Sequence, residues 1–112
     1  MDKVELGNLA RWVEKEAGSE VVLGVTIGRR NHRSDYYDEP PAPFMGKLLS
    51  WEEARPFLDG DFDAYYCCSF PCYTIYAWTK TKVMFMVEYE MGCELCVVPR
   101  NPVSSFPLVY GG

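Results

Sequence analysis

With 112 residues, of which 48% are hydrophobic, 15% aromatic and 24% charged, the chain has material for one packed core and no room for a second. A net charge of −5 argues against direct nucleic-acid binding, which calls for a basic stripe to neutralise phosphates. No apolar run approaches the roughly 20 residues of a membrane-spanning helix. The start Met1-Asp2-Lys3-Val4-Glu5 puts acids where a signal peptide carries positive charge, so no membrane partner and a cytoplasmic location are expected.

Asp2-Lys3-Val4-Glu5 has the form of a capping box. Leu6, Leu9, Val13 and Ala17 then recur at helical spacing with Trp12 beside them, and Gly18 offers a left-handed stop. These predict a helix over residues 3–17. Across Glu20–Gly28, Val21, Leu23, Val25 and Ile27 alternate onto one face, which predicts a strand. Gly24, on the other face, leaves room for a neighbouring backbone or ring. Residues 29–46 read as an irregular loop, since Arg29-Arg30-Asn31-His32-Arg33 runs into Asp35-Tyr36-Tyr37-Asp38-Glu39 and then Pro40-Pro41.

Ser50-Trp51-Glu52-Glu53 is a second capping box, opening a helix of about two turns that carries Pro56 and ends near Asp59-Gly60. Beyond it the chain turns β-rich. Strands are predicted over Tyr73–Trp78, over Val83, Phe85, Val87 and Tyr89, and over Glu94–Val98. The turns Thr79–Lys82 and Met91-Gly92 are short enough to join them as an antiparallel meander. Residues 99–112 form a proline-rich tail. The expected fold is a single α+β domain over 1–112. Its N-terminal helix packs on a mainly antiparallel four-stranded sheet in the order α-β-α-β-β-β, with a short second helix.

Five cysteines, Cys67, Cys68, Cys72, Cys93 and Cys96, cannot all pair within one chain, which suits a reducing compartment. Cys68, Cys72, Cys93 and Cys96 could surround one Zn²⁺ tetrahedrally. Against this, a spacing of three on a strand points Cys93 and Cys96 to opposite faces, and buried thiols are ordinary core residues. No other cofactor is implied. His32 is the one histidine; it could serve as a base, but a Cys–His dyad would need its loop held against the sheet, which nothing in the sequence shows. Gly-rich phosphate loops, Gly-x-Ser-x-Gly and His-Glu-x-x-His are absent. Asp59, Asp61 and Asp63 have the alternation of a calcium loop, but its bidentate Glu is replaced by Cys72. The sequence therefore shows no catalytic residues, and a non-enzyme is expected.

Binding is the alternative. Residues 35–63 carry eight acids against two bases, a net of −6, so the acidity belongs to one segment. Tyrosine and arginine dominate interface hot spots, and Arg29, Arg30, Arg33, Tyr36 and Tyr37 share one loop. With Asp59, Asp61 and Asp63 they form the candidate partner-binding set, suited to a protein with a basic or mixed-charge surface. In brevity, acidity and lack of catalytic motifs the chain is similar to small phage-encoded proteins that block host enzymes or defence complexes. That resemblance implies an inhibitor. Two other readings stand beside it: a cysteine-ligated zinc domain of a larger complex, and a small-molecule or nucleotide binder stacking its ligand on Tyr36, Tyr37 or Trp78. Exposed strand edges also permit a homodimer.

Overall fold

Helical and alternating segments sort into two layers in the computed structural model, which describes residues 6–33, 36–63, 73–89 and 92–101. In chain order these are β1 (Leu6–Asn8), α1 (Leu9–Ala17), β2 (Gly24–Arg33), β3 (Tyr36–Asp38), a 3₁₀ turn (Ala42–Phe44), α2 (Trp51–Leu58), β4 (Asp61–Asp63), β5 (Tyr73–Trp78), β6 (Lys82–Tyr89) and β7 (Gly92–Pro99). The main sheet has the order β3-β2-β5-β6-β7, with every neighbouring pair antiparallel. β1 and β4 form a separate two-stranded ribbon.

The α+β class, the helix on an antiparallel sheet and the β5-β6-β7 meander are as the sequence implies. The boundaries differ in three places, each for a local reason. First, α1 starts at Leu9 and not at residue 3. Asn8 takes the N-cap, its side-chain oxygen accepting from the Arg11 N–H at 3.0 Å. Leu6–Asn8 is drawn into the ladder with Asp61–Asp63; the capping box at residues 2–5 lies outside the described residues. Second, Val21 and Leu23 are 72% and 54% exposed while Val22 is buried. The sheet begins only at Gly24, so the alternation that buries Val25 and Ile27 does not extend back to Val21. Third, residues 29–46 are not an irregular loop. β2 runs on to Arg33, turns back through β3, and the chain then enters a 3₁₀ turn capped at Pro41.

Alternation assigns Val25, Ile27, Ile75, Ala77, Met84 and Cys93 to one face of the sheet. There they meet Leu9, Val13 and Ala17 of α1 and Ala54 and Leu58 of α2 in a single apolar core. Full burial of a side chain such as Val13 or Met84 contributes about 1.5–3 kcal/mol. α2 forms where expected. The Ser50 hydroxyl accepts from the Glu53 N–H, and the Glu53 carboxylate from the Ser50 N–H, both at 3.1 Å. The Ser50 N–H, and then its hydroxyl, hold the Glu53 carboxyl below its ordinary value. Gly18, at φ 62°, ends α1 in a backbone region that L side chains avoid.

Two polar clamps tie the layers together. The buried Asn8 amide donates to Asp59 Oδ1 and Asp61 Oδ1, each at 2.9 Å, while Arg55 bridges α2 to Glu14 of α1 at 2.9 and 3.1 Å. At the other end, Thr79 and Thr81 of the β5–β6 turn donate to the Glu20 carboxylate, and Lys82 Nζ donates to the Glu16 carbonyl near the end of α1. Arg100 donates to the carbonyls of Thr79 and Thr81 from the end of β7.

Asn8→Ala removes a cap and two charge-assisted bonds at once, for an expected loss of about 2–3 kcal/mol in denaturant unfolding. Asn8→Asp keeps an equally good N-cap yet sets a third carboxylate against Asp59 and Asp61. It is therefore expected to be no more stable than the alanine variant, and full stability in Asn8→Asp would show that the cap alone matters.

Candidate functional site

The arginines and tyrosines singled out in the sequence fall on the β2–β3 hairpin at one edge of the main sheet. Its ladder sets Arg30 opposite Asp38, Asn31 opposite Tyr37 and Arg33 opposite Tyr36, with a bulge at His32. A second irregularity between Ile27 and Arg30 separates this hairpin from the flat part of β2. Bulges of this kind bend a strand and raise its local twist. Arg29, at the base, is exposed and reaches Glu39 Oε1 at 2.7 Å, which fastens β2 to the segment after β3.

The acidic candidates divide differently. Asp59 and Asp61 accept from Asn8, and Asp59 also accepts from Arg55 at 3.1 Å. The Asn8 amide, then the neighbouring guanidinium, hold the Asp59 carboxyl below its ordinary value. Asp63 lies in β4 opposite Leu6. Two of the acids whose alternation resembled a calcium loop thus build the α2–β4 corner, the Asp59 carboxylate taken up by Asn8 and Arg55 and that of Asp61 by Asn8.

Cysteine placement bears on the zinc reading for two of its four residues. The β6–β7 register is continuous from Lys82↔Pro99 to Tyr89↔Gly92, so Cys93 and Cys96 point to opposite faces. Cys93 joins the core beneath the helices, whereas Cys96 is buried on the other face, across from Phe85. The two thiols cannot converge on one ion. Burial, assisted by the nearby Glu94 carboxylate, pushes the Cys96 thiol up and keeps it protonated. Cys68 and Cys72 lie outside the described residues. Among the described residues no three of His, Cys, Asp and Glu are grouped to hold a metal, and no helix is long and apolar enough to cross a membrane.

One surface escaped the sequence reading. The face of the main sheet away from α1 and α2 is covered by no helix or strand among the described residues. Thr26, Tyr76, Phe85 and Cys96 stand in one row across it, and Gly24, Trp78, Val83 and Val98 in the next. Tyr76, on a central strand, is 62% exposed. Gly24 carries no side chain because the Trp78 ring crosses it. A Cβ there would lie 2.5 Å from Trp78 Cζ2 and 2.9 Å from Leu48 Cδ1, and Leu48 is itself 66% exposed.

The β5–β6 pairing ends at Tyr76↔Phe85, although both strands continue. In the fork lies a pocket of about 370 Å³, whose lining includes Thr26, Gly28, Thr74, Tyr76 and Phe85. The signal in the sequence was that both phases of β6 are apolar. Val83, Phe85 and Val87 alternate with Met84 and Met86, and it is the methionines that face the helices.

Because Asp59 is ionised while it accepts from Asn8, Asp59→Ala is expected to lower stability at neutral pH. Its folded pKa is depressed, so the stabilisation is complete above the unfolded value and is lost as pH falls through the folded one. Unfolding curves of wild type and variant recorded from pH 7 downward should therefore converge in acid; a constant gap would mean that packing, not charge, accounts for the difference.

Compared with protein-family models, with curated proteins and with solved structures, the chain matches none.

Proposed function

We propose that the protein is a small non-enzymatic protein-binding module that docks through its β2–β3 hairpin, with Arg29, Arg30, Arg33, Tyr36 and Tyr37 as the contact residues. What supports this reading is that the segment is a paired, bulged ribbon at a sheet edge. A loop that is ordered before binding loses less conformational entropy when it docks. Here the residue types most often found as hot spots already sit on neighbouring rungs. The ribbon carries both signs of charge, Arg29, Arg30 and Arg33 beside Asp38 and Glu39, which fits a partner of mixed charge.

Asp59 and Asp61 serve Asn8 first, so the reading centres on the hairpin and leaves the acidic corner a supporting part. An inhibitory role against a larger enzyme or defence complex rests on resemblance in composition, and the same experiment addresses it.

The test is affinity capture with immobilised full-length chain, followed by titration of the retained partner after purification. Arg30→Ala and Tyr37→Ala are each expected to weaken that complex about thirty-fold or more, with circular dichroism unchanged. If a partner binds both variants as tightly as wild type, the hairpin is not the docking element.

A further inference from the structure

The hollow in the fork between β5 and β6 points to a second site, independent of the hairpin. We infer that it binds a small uncharged aromatic heterocycle, one or two fused rings with a donor and an acceptor side by side. Backbone phase is the first support. The Thr79 N–H donates to the Lys82 carbonyl where β5 and β6 join. Alternation then turns the backbone groups of Ala77 and Ile75 toward β6, and those of Met84 and Met86 toward β5. Ala77↔Met84 is a rung of the ladder, whereas Ile75↔Met86, two positions on, is not. Ile75 and Met86 both border the hollow, so amide and carbonyl groups of a parted ladder stand at its wall. A planar molecule whose edge carries a donor beside an acceptor matches a strand edge of that kind.

The side chains at the wall select against charge. Those described supply two rings, Tyr76 and Phe85, the hydroxyls of Thr26 and Thr74, and the Met86 thioether, with no carboxylate, ammonium or guanidinium among them. A phosphate, carboxylate or ammonium moved there from water would lose its hydration with no opposite charge to offset the loss. A neutral ring instead gains edge or stacking contact with Tyr76 and Phe85, and a sulfur contact with Met86. The Thr74 hydroxyl donates to the Arg29 carbonyl at 3.1 Å, which leaves its oxygen as an acceptor, while the Thr26 hydroxyl can serve either way. The Trp78 ring is taken up against Gly24 and Leu48.

Shape fits the same occupant. Gly28 has no side chain to fill the space, and a Cβ there would lie 2.5 Å from Thr74 Oγ1. The volume of about 370 Å³ falls at the small end of ligand sites, which run from about 300 to 1,000 Å³. One or two fused rings suit it. Tyr76, 62% exposed, keeps ring surface in water that an occupant beside it would cover.

Nuclear magnetic resonance on the isotope-labelled full chain is the test, with carbostyril as the probe. This two-ring lactam sets its N–H next to its C=O. Its ring protons are expected to receive saturation from the protein, and the amide signals of Gly28, Ile75 and Met86 to shift as it is added. Quinaldate, with two rings of the same size but a carboxylate, should bind at least ten-fold more weakly. Tyr76→Ala should weaken the carbostyril complex about ten-fold, and Glu52→Gln, on α2, should change nothing. As Tyr76 is exposed, circular dichroism should report intact folding in that variant.

Phe85→Leu, which removes the second ring and keeps an apolar side chain, gives an independent variant with the same expected direction. Absence of both saturation transfer and amide shifts at millimolar carbostyril overturns the inference, as does quinaldate binding as tightly as the lactam. Shifts confined to other parts of the sheet, with affinity untouched by Tyr76→Ala and Phe85→Leu, overturn it too. Amide shifts at Ile75 and Met86 only when another protein is added would assign the fork to a side chain of that protein and overturn it equally.

Discussion

A single buried amide holds the two ends of the helical layer together. Asn8 presents its oxygen to the first turn of α1 and its nitrogen to two carboxylates 51 and 53 positions away. A hydroxyl could cap the helix but could not reach both acids as a donor, and an aspartate would repel them. The arrangement places α2 and β4 relative to α1, and Arg55 fastens the same corner from outside through Glu14 and Asp59. Around that corner the Trp12 and Phe62 rings meet edge to face, with centroids 5.4 Å apart. Gly7 stays bare because a Cβ would lie 2.6 Å from the Phe62 ring. Moving α2 would also move Leu49, which bridges β2 at Val25, so the edge of the sheet inherits its position from a polar contact at the start of the chain.

The elements with their own local signals were legible in the sequence. The Ser50–Glu53 box, the Gly18 stop and the β5–β6–β7 meander form where those residues put them, because each depends on neighbours a few positions away. Gly24 was legible as a site of close approach, and Trp78 is the ring that approaches. What could not be read depends on distant partners. Leu6–Asn8 carries a helical stripe, yet Asp61–Asp63 converts it to a strand, and nothing near residue 8 announces those carboxylates. The Arg29–Asp38 stretch looked irregular because its charges, and Pro40 and Pro41 just beyond it, were weighed without the β5 ladder that extends β2. In β6 two apolar phases compete, and only the position of the helices decides that Met84 and Met86 turn inward and Phe85 outward.

For the candidate surfaces the same division holds. The Arg and Tyr of the hairpin were identifiable by residue type, but their cross-strand neighbours were not. Asp59 and Asp61 looked like a surface for a basic partner, and their nearest cation or donor is internal. The aromatic face around Tyr76 was overlooked because a strand with a buried phase was assumed to spend its apolar residues on one core. Taken together, the molecule separates its roles by side: charge and clamps with the helices, neutral apolar area on the opposite face, and a mixed-charge ribbon at the edge.

The adjacency of β2 and β5 also bears on how the protein is made. β2 is complete early in the chain, but its central neighbour lies beyond α2 and β4. On a ribosome β2 therefore emerges well before Tyr73–Trp78 exists, and it can meet only the short β3 and Leu49. Until β5 arrives, its inner edge offers unpaired amides and carbonyls, with Val25 and Ile27 exposed alongside. Non-local pairings of this kind are slow to close and are open to wrong partners in the interval. The central seam of the sheet thus stays open in a nascent chain until β5 emerges, and β2 waits beside it through the synthesis of α2 and β4.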